Sequence, residues 1–222
     1  MINKVPALLL AATSIALIYF AASFGAASLY GSAIEQTQIR WKEQGTISPP
    51  SEEEIQNSEK LIDALLEIQP NHPYYLSLAA SHYAWLSFLH QDPELLTHSI
   101  NFESQALQNR PIWSQSYSQL ARYAWQKQLG SNQINTYLQH AEQFGPHSPY
   151  SSEAYLEIGL ANWTQLHSPQ QIKVARILLQ HSTSSKYRAE VENIITRSPA
   201  KQRACNLLHF NNITLHACNN LL

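Results

Sequence analysis

The sequence is poor in glycine and aspartate, and this scarcity excludes several kinds of chemistry. Only four of its six glycines follow residue 35, too far apart for a glycine-rich loop that cradles phosphates or a dinucleotide. Aspartate occurs only at Asp63 and Asp92, and the nucleophile elbow Gly-x-Ser-x-Gly is absent. The glutamates at 52–54 and at 190 and 192 fit solvated helix faces better than the carboxylate pair of a glycosidase. We therefore expect no enzymatic activity.

Charge is also scarce, at 14% of the residues and a formal net charge of −2. No basic patch or stripe is present, so nucleic acid is not an expected partner. The ten histidines match no standard zinc spacing. The nearest approach to a ligand set is Cys205, His209, His216 and Cys218, and we predict neither a metal ion nor a cofactor.

The chain has two cysteines, Cys205 and Cys218. In an oxidising compartment they could close a loop of about 14 residues, which stabilises a fold by roughly 3 kcal/mol. In a reducing compartment they would be two unrelated thiols. The sequence identifies the pair as a disulfide candidate and leaves both alternatives open.

A long uncharged stretch lies between Lys4 and Glu35. About 20 apolar residues cross a bilayer core, so residues 6–30 are predicted to span a membrane, with Tyr30 a better marker of the lipid–water interface than Trp41. The stretch exceeds the h-region of a secretory signal, which favours a retained anchor over a cleaved one. The predicted division is a tail and anchor at 1–34, a juxtamembrane helix and linker at 35–50, and a helical domain at 51–222.

The flanking charges do not fix the orientation, because Lys4 and the amino terminus oppose Arg40 and Lys42. The short amino-terminal tail favours a cytoplasmic amino terminus. We therefore expect a single-pass protein of a bacterial inner membrane with a periplasmic domain. The opposite orientation, with a domain that faces the cytoplasm, stays open.

The remainder of the chain carries helix signals, while strand and hairpin signals are nearly absent. Ser51 and Glu54 form a capping-box pattern, Asp92-Pro93, Ser168-Pro169 and Ser198-Pro199 resemble helix starts, and Gly130 and Gly145 resemble helix ends. Helices are predicted at 52–68, 73–90, 93–109, 112–128, 132–144, 150–166, 169–181, 185–196 and 199–209.

Three segments resemble one another: 64–70, 106–111 and, more loosely, 141–146. Each precedes a helix that ends in an aromatic residue, and the spacing of about 40 residues is in the range of helix-pair repeats. The pattern resembles degenerate tetratricopeptide repeats. We therefore predict an all-α fold in which a transmembrane helix is followed by an irregular tetratricopeptide-like array of helix pairs.

The order of these parts resembles the VpsP family of membrane-anchored bacterial polysaccharide biosynthesis proteins. The resemblance covers nearly the whole chain, with local departures at His147-Ser148 and Tyr117. It is carried by the anchor, Trp41 with residues 43–45, residues 70–73, 106–113 and 144–146, Gly159-Leu160 with Trp163, and a segment that ends near Cys218. It implies a scaffold or adaptor for protein partners in exopolysaccharide synthesis and export.

Large aromatic residues supply the candidate binding residues. They could line a groove for carbohydrate or peptide, or pack between stacked helices, and both alternatives stay open. The candidates are Trp85, Trp113, Trp125, Trp163, Tyr83 and Tyr123, together with Arg110. Two other functions also stay open: a glycan-modifying enzyme with a glutamate pair, and a repeat adaptor that faces the cytoplasm.

Overall fold

The computed structural model describes residues 5–45 and 48–219, and every regular element in these ranges is helical. This confirms the predicted all-α class. The α-helices are α1 Val5–Gln44, α2 Glu52–Ile68, α3 Pro73–His90, α4 Leu95–Asn109, α5 Ser114–Gln126, α6 Ser131–Phe144, α7 Pro149–Ala161, α8 Ser168–Ser182, α9 Arg188–Arg197 and α10 Lys201–Phe210. Short 3₁₀ helices occupy Trp163–Gln165 and His216–Cys218.

Helix α1 is one unbroken helix of 40 residues, about 60 Å long at the usual rise per residue. Its first half is apolar and exposed. Among the described residues, Leu8–Gln44 is the one stretch of helix long and apolar enough to cross a membrane, and an 18-residue window of it has a mean hydropathy of 1.9. The second half packs on protein, and its buried side chains recur every seven residues at Ala27, Ile34 and Trp41. The predicted domain boundaries stay a prediction, but α1 crosses the one at 34/35 without a break.

Chain contacts divide the protein into two compact units, Met1–Arg110 and Pro111–Leu222. In the first unit α2 and α3 pack on the second half of α1, and α4 packs on α3. One core cluster joins Ala27 and Ile34 to Ile62, Leu65 and Leu78, among others. A second cluster holds Trp41 against Ile55 and Leu86. Trp41 is 1% exposed, so it is a core residue and does not mark a membrane interface.

The second unit contains two core clusters. Helices α5, α6 and α7 meet at Ala121, Leu138, Ala154 and Ile158. The larger cluster extends from α7 to the carboxyl-terminal 3₁₀ helix and includes both cysteines. Close packing of α7 on α8 depends on Gly159, because a Cβ atom there would lie 2.4 Å from Cγ2 of Val174.

The nine helices predicted after residue 51 are all present. The capping box of Ser51 and Glu54 is confirmed: each side chain accepts a hydrogen bond from the other residue's backbone N–H. The largest difference is at α7, which was predicted to reach residue 166. It ends at Ala161, and the next residues tighten into a 3₁₀ helix.

Three predicted helix starts differ in detail. Asp92 accepts a hydrogen bond from the Glu94 N–H, but α4 begins later, at Leu95. Its carboxylate therefore closes a short Asx turn ahead of the helix. Ser198 bonds to the Ala200 N–H in the same way, before α10 begins at Lys201. Ser168 is already helical, because His167 is the N-cap and forms a capping box with Gln170.

Of the two predicted glycine ends, Gly145 is confirmed as a helix end and Gly130 is wrong. Gly130 is the N-cap of α6, and the left-handed residue after α5 is Gln128, with φ of 59°. Gly145 is the C-cap of α6, but its φ is −151°, so no left-handed conformation requires glycine there. The requirement is space, since a Cβ atom at Gly145 would lie 2.6 Å from the Cβ atom of Ser114.

The three similar segments end in the same backbone conformation. The C-cap residues Gln69, Arg110 and Gly145 have φ between −151° and −135° and ψ between 67° and 73°. Each cap N–H bonds to the carbonyl four residues earlier, and the next helix begins four residues later, at Pro73, Ser114 or Pro149. The sequence similarity therefore corresponds to one turn geometry that occurs three times.

Candidate binding clefts

Two predicted binding residues lie in the packed interior of the first unit. The ring of Tyr83 stacks on His98 and Phe102, with centroid distances of 5.1 and 5.6 Å. Trp85 packs at the edge of the Trp41 cluster and meets Phe88 edge-on at 5.9 Å. These contacts match the alternative in which the aromatic residues pack between helices and do not line a groove.

Three more predicted residues lie near the start of the second unit or just before it. Tyr123 is 4% exposed on α5, and Trp113 is the half-buried N-cap of that helix. Arg110 is the C-cap of α4. None of the three lines the clefts described below.

Trp125 lines a cleft of about 680 Å³ in the second unit, here called the Trp125 cleft. Four helix ends build it: the end of α5, the start of α6, the end of α7 and the start of α8. Polar residues at these helix ends therefore line a single cleft. Its amide side chains are Gln126, Gln128, Asn132, Asn135, Asn162, Gln165 and Gln170, and no Asp, Glu, Lys or Arg lines it.

Hydrogen bonds fix part of this lining and leave the rest available. Asn162 donates to the Ile158 carbonyl at 2.8 Å, and Gln170 closes the capping box of α8. Gln128 and Gln165 are exposed, and no described residue is their side-chain hydrogen-bond partner. An amide can both donate and accept, while the indole of Trp125 offers an apolar face. The cleft therefore suits an uncharged ligand rich in hydroxyl or amide groups.

Trp163 lines a separate, more open cleft of about 630 Å³ between the end of α7 and α10. The guanidinium carbon of Arg203 lies 5.5 Å from the Trp163 ring centroid, within the range of a cation–π contact. Gln202 and Asn206 complete its polar side. Two of the predicted binding residues, Trp125 and Trp163, therefore line clefts, and the two clefts are separate sites.

A third cleft, of about 400 Å³, is one that the sequence did not indicate. Lys173 pairs with Glu142, and its Nζ atom lies 3.7 Å from the Tyr155 ring centroid. Burial raises the pKa of the Tyr155 hydroxyl. Lys173 and Glu142 are on different helices, so no local sequence pattern could have paired them.

Cys205 and Cys218 form a disulfide with their Cα atoms 5.5 Å apart. Both residues are buried in the larger core cluster of the second unit, so the bond links α10 to the final 3₁₀ helix inside that core. Within residues 5–45 and 48–219, no three His, Cys, Asp or Glu side chains are grouped as a metal site would need.

Comparison with known proteins adds no assignment. A scan against protein-family models finds no match, and a search of curated proteins finds none. The resemblance to VpsP proteins therefore stays a prediction from the residues quoted above.

Proposed function

We propose that this chain is a membrane-anchored, non-enzymatic adaptor in exopolysaccharide synthesis and export, which binds partner proteins through its helical surface. The observation that carries the proposal is α1. Its exposed apolar half is suited to lipid, and its other half is a core element of the first unit. A helix built in this way holds a folded domain at a membrane.

The polysaccharide context rests on the family resemblance, which is an association and not a physical derivation. The Trp125 cleft is compatible with that context, because sugar hydroxyls pair well with amides and sugar rings pack on indole faces. A neutral glycan segment is therefore the ligand class that we assign to this cleft. The repeated turn geometry supports the proposed tetratricopeptide-like organisation.

We place the domain in the bacterial periplasm, with the amino terminus in the cytoplasm. One observation supports this orientation: the disulfide of Cys205 and Cys218. Disulfides persist in oxidising compartments such as the periplasm and are rare in the cytosol. The cytoplasmic-facing adaptor is the alternative that a topology experiment would reveal.

Fusions at the carboxyl terminus test the orientation. Alkaline phosphatase should be active and green fluorescent protein dark, since phosphatase folds only in the periplasm. A matched control carries Leu17→Arg and Ile18→Arg, because each arginine at a span centre costs about 3 kcal/mol of insertion free energy. Its fusion should leave the membrane fraction. A fluorescent, phosphatase-negative fusion of the native chain would contradict the proposed orientation.

Photo-crosslinking in native membranes tests the adaptor role. A photoreactive residue replaces Gln128 at the rim of the Trp125 cleft, and a control replaces the 86% exposed Phe210. We expect position 128 to capture a polysaccharide or a component of its synthesis or export machinery more strongly than position 210. Equal capture at both positions, or capture of no envelope component, would count against the proposal.

The glycan-modifying enzyme remains the second functional class. It needs two carboxyl groups within about 10 Å in one pocket. The three clefts described above contain one carboxylate among their lining residues, Glu142. Turnover of an oligosaccharide by the purified chain would favour the enzyme over the adaptor.

A further inference from the structure

The packing of α3 on α1 determines which part of the first unit lies nearest to the membrane. Tyr75 contacts Gly31, where an added Cβ atom would be 2.9 Å from the tyrosine ring. Further along, Gln38 donates to the Leu78 carbonyl at 2.9 Å, and Trp41 lies 5.7 Å from His82. Both helices therefore run in the same direction, and the start of α3 is level with Gly31.

The length of α1 gives the depth of that level. About 20 helical residues cross the hydrocarbon core. Counted from Leu8, where the candidate span begins among the described residues, the core ends at Ala27, inside the predicted span of residues 6–30. Ala27 is also the first fully buried residue of α1 among those described. The helix surface therefore changes from exposed to covered by protein at the position where the hydrocarbon core ends. Gly31 then lies about 6 Å beyond the hydrocarbon, within the headgroup layer of roughly 5–7 Å.

The residues at this level have the chemistry of a lipid–water interface. The chain has no Asp, Glu, Lys or Arg from Ile68 to Gln91, which covers the α2–α3 turn and all of α3. Tyr74 and Tyr75 are adjacent, with ring centroids 5.7 Å apart, and Tyr30 lies in the same cluster as Tyr75. Tyrosines are enriched at membrane interfaces, where the ring contacts lipid and the hydroxyl contacts water.

The hydroxyl of Tyr74 also has a fixed partner. It bonds to the Glu35 carboxylate, the first charged group of α1 after the span. Burial, followed by this hydrogen bond, raises the pKa of Tyr74 to about 12. The ion pair of Arg40 and Glu54 lies nearer the far end of α1. Charge therefore begins on α1 at Glu35, about 12 Å beyond Ala27 and outside the headgroup layer.

We propose that the α2–α3 turn, with Tyr30, Tyr74 and Tyr75, lies in the headgroup layer of the bilayer that α1 crosses. The first unit then rests on the membrane surface and is not separated from it by a linker. This inference rests on the membrane anchorage in the proposed function and is independent of its polysaccharide context.

Site-directed spin labelling of the full chain in phosphatidylethanolamine and phosphatidylglycerol vesicles tests this placement. The native cysteines are disulfide-bonded, so each variant has a single reactive thiol. Tyr74→Cys and Asn71→Cys report on the turn, and Leu17→Cys reports on the span centre. Phe88→Cys is the matched control, an exposed aromatic position on α3 about 21 Å further from the membrane.

The readout is the ratio of nitroxide collisions with oxygen to collisions with a water-soluble nickel chelate. We expect the highest ratio at residue 17, a several-fold elevated ratio at residues 74 and 71, and an aqueous value at residue 88. Asn71→Cys preserves the test if Tyr74→Cys does not fold. A high ratio at residue 17 with aqueous ratios at both residues 71 and 74 would overturn this inference and leave the membrane anchor intact. An aqueous value at 17 would overturn the anchor and the proposed function as well.

Discussion

His82 provides a prediction that can be worked from the structure. Its side chain is fully buried on α3, with Nδ1 3.3 Å from the Ser58 hydroxyl and the ring 5.7 Å from Trp41. Burial lowers the pKa of His82 to about 4, because a protonated imidazole loses its hydration there. The folded protein therefore holds this ring neutral at pH values where the unfolded chain binds a proton.

The expected effect on stability follows from linkage. The unfolded pKa is 6.5 and the folded pKa about 4. The contribution of His82 is fully present above pH 6.5, decreases as the pH falls, and is lost once the pH passes below about 4. The total loss is about 3 kcal/mol of unfolding free energy, since each pKa unit is worth about 1.4 kcal/mol.

Denaturant unfolding in detergent micelles, followed by tryptophan fluorescence between about pH 7 and pH 4, measures this loss. His82→Gln removes the titrating group and keeps an amide that can bond to Ser58, so its stability should depend less on pH than that of the native chain. His90→Gln, at an exposed position on the same helix, should retain the native dependence. The reasoning would be refuted if the imidazole signals of His82 titrated near pH 6.5 in the folded protein.

Three further predictions concern the packing and the caps. Replacing both Cys205 and Cys218 with serine should lower the unfolding free energy of the second unit by about 3 kcal/mol, and a melting temperature unaffected by reductant would contradict this. Gly159→Ala should cost about 1–3 kcal/mol through its clash with Val174, and adding Val174→Ala should recover part of the loss; strictly additive effects on thermal unfolding would exclude the clash. Ser51→Ala should lower the unfolding free energy by about 1 kcal/mol, measured by denaturant unfolding. The same change at Ser32, which is exposed inside α1 and caps no helix, should have little effect.

The helices could be predicted because their signals are local. The capping box of Ser51 and Glu54 involves four consecutive residues, and the three similar segments share one turn geometry. The exact cap residues were harder, because His167 is the N-cap of α8 where Ser168 was expected. At Gly145 the sequence could not reveal that Ser114, far away in the chain, occupies the space of a Cβ atom.

The full extent of α1 was missed for a different reason. The predicted boundary at 34/35 separated the anchor from a juxtamembrane helix, yet Ala27, Ile34 and Trp41 continue a seven-residue pattern of buried side chains across it. That pattern is readable in the sequence, although it only acquires meaning once α2 and α3 supply the surface on which it packs.

The clefts were predicted in part. Trp125 and Trp163 stand out as large aromatics, but the amides that accompany Trp125 are drawn from four separate helix ends. Gln and Asn are abundant throughout the chain, so no individual residue marks the site. Lys173 and Glu142 meet only through the packing of their helices.

The unbroken course of α1 has a mechanical consequence. A helix turns by about 100° and rises about 1.5 Å per residue. Because α1 is unbroken, the rotation of its apolar half about the helix axis fixes the rotation of the first unit. One alanine inserted near Ser14 would rotate the lipid-embedded face relative to the domain by that angle. If α1 spans the bilayer as proposed, a partner helix that bound its apolar half would therefore set the direction in which the first unit faces in the membrane plane.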